Sequence, residues 1–154
     1  LRFLASSREL NHKGLEFSIN GRLADKWNIL GGFSHMSAKQ EKTTKGTLDG
    51  IRVNGTSEWT AVLGLEYNPN EAWSILGRAI YTGKTPVMNE KIWAPGYTIF
   101  DLGVTHKTHF GKIPAELSLM VNNVFDKDYW QVSRGNQVYL SLPRTFSFTA
   151  KLHF

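Results

Sequence analysis

Arg144-Thr145-Phe146-Ser147-Phe148-Thr149-Ala150-Lys151-Leu152-His153-Phe154 is the stretch whose reading decides the fold. Phe146, Phe148, Ala150, Leu152 and Phe154 alternate with Thr145, Ser147, Thr149, Lys151 and His153. A period of two puts the two sets on opposite faces of one strand. Chain ends in water fray, and a final phenylalanine gains nothing there. It is at home where a strand ends at a lipid headgroup boundary. The stretch therefore predicts the closing strand of an outer-membrane β-barrel.

The same period runs back through the chain. Leu15, Phe17, Ile19 and Leu23 interleave with Glu16, Ser18, Asn20 and Arg22, and Ala24-Asp25-Lys26 makes a short turn. Trp27, Ile29, Gly31 and Phe33 carry one face onward. Trp59, Ala61, Leu63, Leu65 and Tyr67 form the next, ended by the turn signal Asn68-Pro69-Asn70. Trp73, Ile75, Gly77, Ala79 and Tyr81 follow, then Thr98, Phe100, Leu102, Val104 and His106. After a turn near His109 to Pro114 come Ala115, Leu117, Leu119 and Val121. Seven strands of about ten residues emerge, a length suited to crossing a bilayer at a tilt. Long loops are expected near 38–57, 83–96 and 126–137, and residues 1–12 show no clear period. Short and long connections alternate, as in an up-and-down transmembrane barrel. No stretch holds apolar residues at helical spacing over three turns.

Composition narrows the chemistry. Charged residues make up 20% and aromatics 12%, which argues against disorder. The absence of cysteine excludes a disulfide framework, a thiolate nucleophile and a thiolate metal site. The net charge of +5 is spread along the chain, as on a solvated basic surface. No run of apolar residues is long enough for a membrane-spanning helix.

Aromatic spacing gives a metric check. Trp59 and Tyr67 are eight residues apart, as are Trp73 and Tyr81. Eight residues of strand cover about 26 Å, which projects to about 20 Å at a tilt of about 40°. That is a little under the apolar band of an outer-membrane barrel, about 25 Å. Trp27, Tyr67, Trp73 and Phe154 are thus expected in a girdle at the short-turn edge, with Trp59 and Tyr81 at the other. A soluble β-sandwich burying the same aromatics is the rival reading. Seven is an odd number, whereas bacterial single-chain barrels are even and start at eight. Either residues 1–12 supply an eighth strand, or the chain is the C-terminal part of a larger barrel.

Asn122-Asn123-Val124-Phe125-Asp126-Lys127-Asp128-Tyr129-Trp130, followed by Leu142-Pro143-Arg144-Thr145-Phe146 and the final Phe154, closely resembles the C-terminal signature of TonB-dependent outer-membrane receptors. Ala94-Pro95-Gly96-Tyr97-Thr98-Ile99-Phe100-Asp101-Leu102-Gly103 resembles an earlier strand of the ferric-siderophore branch. Lys13-Gly14-Leu15-Glu16 with Trp27-Asn28-Ile29-Leu30-Gly31-Gly32-Phe33 resembles that branch's preceding hairpin. The resemblance implies a barrel of about 22 strands with an N-terminal plug in its lumen. Residues 1–154 would then be the C-terminal seven or so strands of one barrel domain, without the plug or earlier strands. It also implies transport of a ferric siderophore across a bacterial outer membrane, with no enzymatic activity and no cofactor. The implied partners are the siderophore, outer-membrane lipid, the TonB complex acting through the plug, and the barrel-assembly machinery acting through the last strand. No nucleic-acid partner is expected. Rival cargoes are haem, cobalamin or a saccharide, and a rival protein is a complete small barrel serving as adhesin or anchor.

Few side chains suggest chemistry of their own. His106 and His109 lie at a strand end and turn with no third ligand nearby, so no metal site is expected. No carboxylate pair accompanies a nucleophile. Asp126-Lys127-Asp128 should bond local backbone and start the third long loop. Arg144 is expected to pair with an acidic lumen group such as Glu116. Glu16, Arg22, Glu58, Glu66, Arg78 and Asp101 read as hydrated lumen or plug-facing groups. Ligand contacts are expected from loop and upper-lumen residues Trp93, Tyr97, Trp130, Arg134 and Tyr139, since aromatics with cations suit a bulky anionic chelate.

Overall fold

The computed structural model describes residues 9–133 and 137–154. Seven long strands form one antiparallel meander: β1 (Glu9–Ala24), β2 (Trp27–Glu41), β3 (Trp59–Asn70), β4 (Trp73–Thr82), β7 (Tyr97–Phe110), β8 (Ile113–Asn122) and β11 (Thr145–Leu152). Two small hairpins stand in the long connections, β5 (Thr85–Val87) with β6 (Ile92–Ala94), and β9 (Trp130–Val132) with β10 (Val138–Leu140). A single 3-10 turn, Thr44–Gly46, lies in the first long loop.

Cross-strand register turns seven separate alternations into two continuous faces. One row, Gly21–Ile29–Leu65–Gly77–Leu102–Val121–Phe146, crosses all seven long strands. The neighbouring row, Arg22–Asn28–Glu66–Leu76–Gly103–Met120–Ser147, crosses them on the opposite face. A slip of one residue at any pairing would exchange the faces from that point on.

Among the described residues there is no second layer on the apolar face. Leu63, Trp73 and Phe148 are 49%, 42% and 67% exposed. The buried apolar side chains are Ala38, Val53, Val87, Ala94 and Ala115, all small. Accessible surface totals 11038 Å², whereas a compact protein of this mass exposes about 7,900 Å². The soluble sandwich, which needs those aromatics buried between layers, is ruled out by this arrangement.

Three sequence expectations need correction. Residues 9–12 extend β1 against β2, from Glu9↔Glu41 to His12↔Ala38, and supply no eighth strand; residues 1–8 lie outside the described ones. The ladder continues there although the hydrophobic alternation has stopped. Its polar side chains satisfy one another, as Asn11 Nδ2 does by donating to Glu41 Oε1 at 2.7 Å. Second, β3 runs through Pro69 to Asn70, and the chain reverses at Glu71-Ala72. Asn70 Oδ1 accepts from the amides of Ala72 and Trp73, both at 3.0 Å, which holds that reversal. Pro69 falls where the register shifts, between Tyr67 and Asn70, so its missing N–H breaks no regular ladder. Third, the second and third long loops contain hairpins where the sequence suggested irregular chain. The turn between β7 and β8 uses Gly111 at φ 65, a conformation open to glycine without strain.

A lysine at Leu63 tests the two-faced wall. In lipid, Leu63→Lys should lower the unfolding free energy of the full-length protein by about 2–4 kcal/mol, and Thr60→Lys on the other face by under about 1 kcal/mol. Urea titration of the vesicle-inserted protein reads the difference.

Candidate functional site

The long connections on one side of the sheet build a structured cap. Beyond β2 the first loop folds back on the strand: Gln40 N–H donates to Ile51 O, Gly50 N–H to Gln40 O, and Val53 N–H to Ala38 O, each at 2.9 Å. Gln40 is fully buried, and its Nε2 donates to Arg52 O at 3.3 Å. Asn54 and Asn89 then join the first loop to the second. Asn89 N–H donates to Asn54 Oδ1 at 2.8 Å, Asn54 Nδ2 to Asn89 Oδ1 at 3.2 Å, and Gly55 N–H to Pro86 O at 3.0 Å. This cluster holds Met88, Asn89 and Glu90 at φ 51, 58 and 65. Three successive left-handed residues persist only where their surroundings fix them.

Arg52 sits at the centre of the junction. Its Nε donates to Glu58 Oε1 at 2.6 Å and its Nη1 to Glu90 Oε1 at 2.9 Å. The bond to Glu58 raises the Arg52 pKa above the ordinary guanidinium value, with Glu90 adding to it against the effect of burial. The guanidinium also lies 5.5 Å from the centre of the Trp93 ring, and Lys84 Nζ lies 4.7 Å from the same ring. Both distances are within cation–π range. At the outer end of the first loop, Asp49 Oδ1 accepts from Thr43 N–H and Oγ1, each at 2.8 Å. The backbone bond first, then the hydroxyl, lowers the Asp49 carboxyl pKa below its ordinary value.

Four of the five residues nominated for ligand contact meet in this cap. Trp93 and Trp130 line an apolar pocket of about 440 Å³ with Val87, Ile92, Pro95 and Val138. Tyr97, Trp130 and Tyr139 line a second, more polar one of about 320 Å³ with Thr60, Thr82 and Gln131. Trp130 is common to both. Register places Thr60, Thr82 and Tyr97 in one row of the polar face, so the second pocket opens on that face. The Tyr97 ring stacks on Tyr129 at 3.9 Å, and burial pushes the Tyr129 hydroxyl pKa up. Arg134 lies outside the described residues. Sequence reasoning missed Arg52, Lys84, Asn54 and Asn89. Only a second basic or amide residue in each neighbouring loop hinted at them.

Local bonding in the C-terminal signature comes from Asn123, where Asp126-Lys127-Asp128 were expected to supply it; the Asp126 carboxylate reaches Arg144 instead. Asn123, buried and at φ 52, exchanges side-chain bonds with the backbone N–H and O of Lys127, both at 2.9 Å. Its own N–H donates to Asp101 Oδ1 at 3.0 Å, while Asp101 Oδ2 takes Arg78 Nη2 at 2.6 Å. The start of the third loop is thereby tied to a half-buried ion pair on the polar face, in which only Asp101 is fully enclosed. The expected partner of Arg144 is corrected. Its N–H donates to Asp126 Oδ1 at 2.7 Å and its guanidinium lies 4.0 Å from Asp126, whereas Glu116 faces Lys151 at 3.6 Å. Register explains this, because Glu116 is paired with Lys151 and lies far along β11 from Arg144.

Of the girdle residues, Trp27 packs on Tyr67 at 4.7 Å and Trp73 on His106 at 4.2 Å, near short turns. Trp59 packs on His35 at 4.2 Å, and Tyr81 and Phe154 are exposed. His106 and His109 fall on opposite faces of β7, being three residues apart on a strand. No group of three histidine, aspartate or glutamate side chains suited to a metal occurs among the described residues.

Comparison with known proteins now has a geometry to meet. Residues 5–124 match the family model described as TonB dependent receptor-like, beta-barrel. The chain is 26% identical to a protein named probable TonB-dependent siderophore receptor PiuA, of Acinetobacter baumannii, over 76% of this chain and 17% of that protein. It is 26% identical to one named catecholate siderophore receptor Fiu, of Escherichia coli K12, over 92% of this chain and 19% of that one. The crystal structure of BauA, described as the ferric preacinetobactin receptor of Acinetobacter baumannii, superposes with a TM-score of 0.83 at 24% identity. That match takes in 93% of this chain and 22% of the other, and it speaks to the fold. The chain spans about a fifth of the length of these relatives.

Two outcomes follow from the cap. Arg52→Ala should raise amide exchange or protease cleavage in both 43–57 and 84–92 by roughly tenfold, the equivalent of about 1.4 kcal/mol of local stability. A change confined to one loop contradicts the junction. The Thr43–Asp49 contact should show a pH dependence. With the folded pKa depressed, its contribution is present above the unfolded carboxylate value of about 3.9 and is lost as pH falls through the lower folded value. Amide exchange at Thr43, corrected for intrinsic rates, should accelerate below that range in the native sequence, and Asp49→Asn should abolish the transition.

Proposed function

Because this chain belongs to the TonB-dependent receptor-like β-barrel family, we propose that the protein containing it carries a ferric siderophore across a bacterial outer membrane. In this reading the chain supplies part of the barrel wall and three of its outer loops, and it performs no catalysis. The observation that carries the proposal is the convergence of Trp93, Tyr97, Trp130 and Tyr139 on two adjoining pockets beside the cations Arg52 and Lys84. Flat aromatic walls and the Lys84 ammonium suit an anionic chelate with aromatic arms, while Arg52, paired with Glu58 and Glu90, supports the Trp93 ring. The relative named as a catecholate siderophore receptor favours a catecholate as that chelate.

The remaining partners follow from the same reading. Trp27, Tyr67, Trp73 and Phe154 would meet headgroups at the short-turn edge, and Trp59 and Tyr81 those at the long-loop edge, with outer-membrane lipid between them. The polar face would line the lumen around a plug supplied by another part of the protein, through which the TonB complex acts. Strand β11 and the two residues after it, with Phe148 and Phe154 exposed, would be the segment met by the barrel-assembly machinery.

Cells carrying the full-length gene should take up iron-labelled tricatecholate under iron limitation, and deletion should abolish that uptake. Trp93→Ala should weaken binding of the chelate by roughly tenfold, about 1.4 kcal/mol. Uptake unchanged by deletion contradicts the function. Preferential binding of haem, cobalamin or an oligosaccharide in the same assay replaces the cargo.

A further inference from the structure

The apolar face is not a uniform wall. Midway along β4, Gly77 and Ala79 stand where β3 presents Leu63 and Leu65 and β7 presents Phe100 and Leu102. The small residues leave a hollow of about 290 Å³ between the larger ones. A Cβ placed on Gly77 would meet Leu102 Cδ2 at 3.7 Å, an ordinary contact, so the space is not already filled by packing. Arg78 and Asp101 border the hollow, but on the sheet they belong to the other face, where their charges pair at 2.6 Å.

Phe125 completes the rim. It lies three residues past the end of β8; the preceding Val124 N–H donates to Phe100 O at 2.7 Å, and the Phe125 ring meets Phe100 edge-on at 5.3 Å. It is nevertheless 72% exposed. The local bonding of Asn123 and Asp126 explains the loop start but assigns Phe125 no task.

We propose that this hollow seats one acyl chain of a bilayer lipid. The claim rests on the reading of the apolar face as the hydrocarbon-facing side of the barrel, with which the hollow is continuous. An apolar recess offers water no hydrogen-bond partners and takes hydrocarbon instead. Along a lipid-facing wall the available hydrocarbon is an acyl chain. A chain lying between Leu63 and Phe100 gains contacts on both flanks that the flatter parts of the wall do not give.

The test uses the full-length receptor in nanodiscs of phosphatidylethanolamine doped with an acyl-chain diazirine analogue, followed by mapping of labelled peptides. Labelling of segments 75–81 and 98–104 should exceed that of 146–152, on the same face away from Gly77 and Ala79, by roughly threefold. Gly77→Leu, which fills the hollow, and Phe125→Ala, which removes its rim, should each bring the two levels together. Both variants should keep the heat-modifiable migration of a folded barrel. Equal labelling of all three segments in the native protein overturns the proposal while leaving the membrane reading intact. Enrichment that persists in Gly77→Leu overturns it as well, as does cross-linking of a second receptor copy there in place of lipid. No labelling on any of the three overturns both.

Discussion

A single sheet without a second layer among the described residues has to satisfy two demands at once. Its backbone groups must be paired within the sheet, and each face must find a medium that accepts it. The seven long strands meet the first demand through continuous antiparallel ladders. They meet the second by keeping register, so that the phenylalanines, tryptophans and most leucines gather on one face while the charged side chains lie on the other. Bilayer and wet lumen are the pair of media that suits these faces. Without hydrocarbon, the exposed phenylalanines and tryptophans of the wall would form one large sticky patch.

The loops follow a different physical regime. They stand where water is available, and buried polar contacts shape them. Gln40, Asn54 and Asn89 join two loops through amide bonds, and Arg52 spans Glu58, Glu90 and the ring of Trp93. The left-handed run at Met88-Asn89-Glu90 is held by that junction. A cap built this way can hold Trp93 at a fixed place beside Trp130, a residue shared with the pocket on the polar face. Ordering these loops before a ligand arrives lowers the cost of binding.

The wall was legible because a strand's period of two shows in any ten residues. Leu63, Ile75 and Phe148 needed no partner information to be placed on their face. Boundaries were less legible where the local rule weakens. Asn68-Pro69-Asn70 carries turn residues, yet the reversal falls after it, because the Asn70 side chain caps the next two amides. Residues 9–12 lack alternation, and they pair with β2 all the same. The aromatic members of the cap could be nominated from the loops they occupy. Arg52 and Asn89 could not, because their roles depend on which loops touch, a fact of tertiary structure. The same limit misplaced Arg144, whose neighbour Asp126 lies at the far end of its own loop.

The central claim is that adjacent residues of each strand face different media. This chain contains no cysteine; in the full-length protein, with any cysteine outside it replaced, spin labels are placed one at a time from Val62→Cys to Glu66→Cys in lipid vesicles. The account predicts that collision rates with dissolved oxygen are high at 63 and 65 and low at 62, 64 and 66, with a water-soluble nickel chelate showing the opposite order. Collision rates that vary smoothly along the five positions, or labels at 63 and 65 shielded from both reagents, would contradict it.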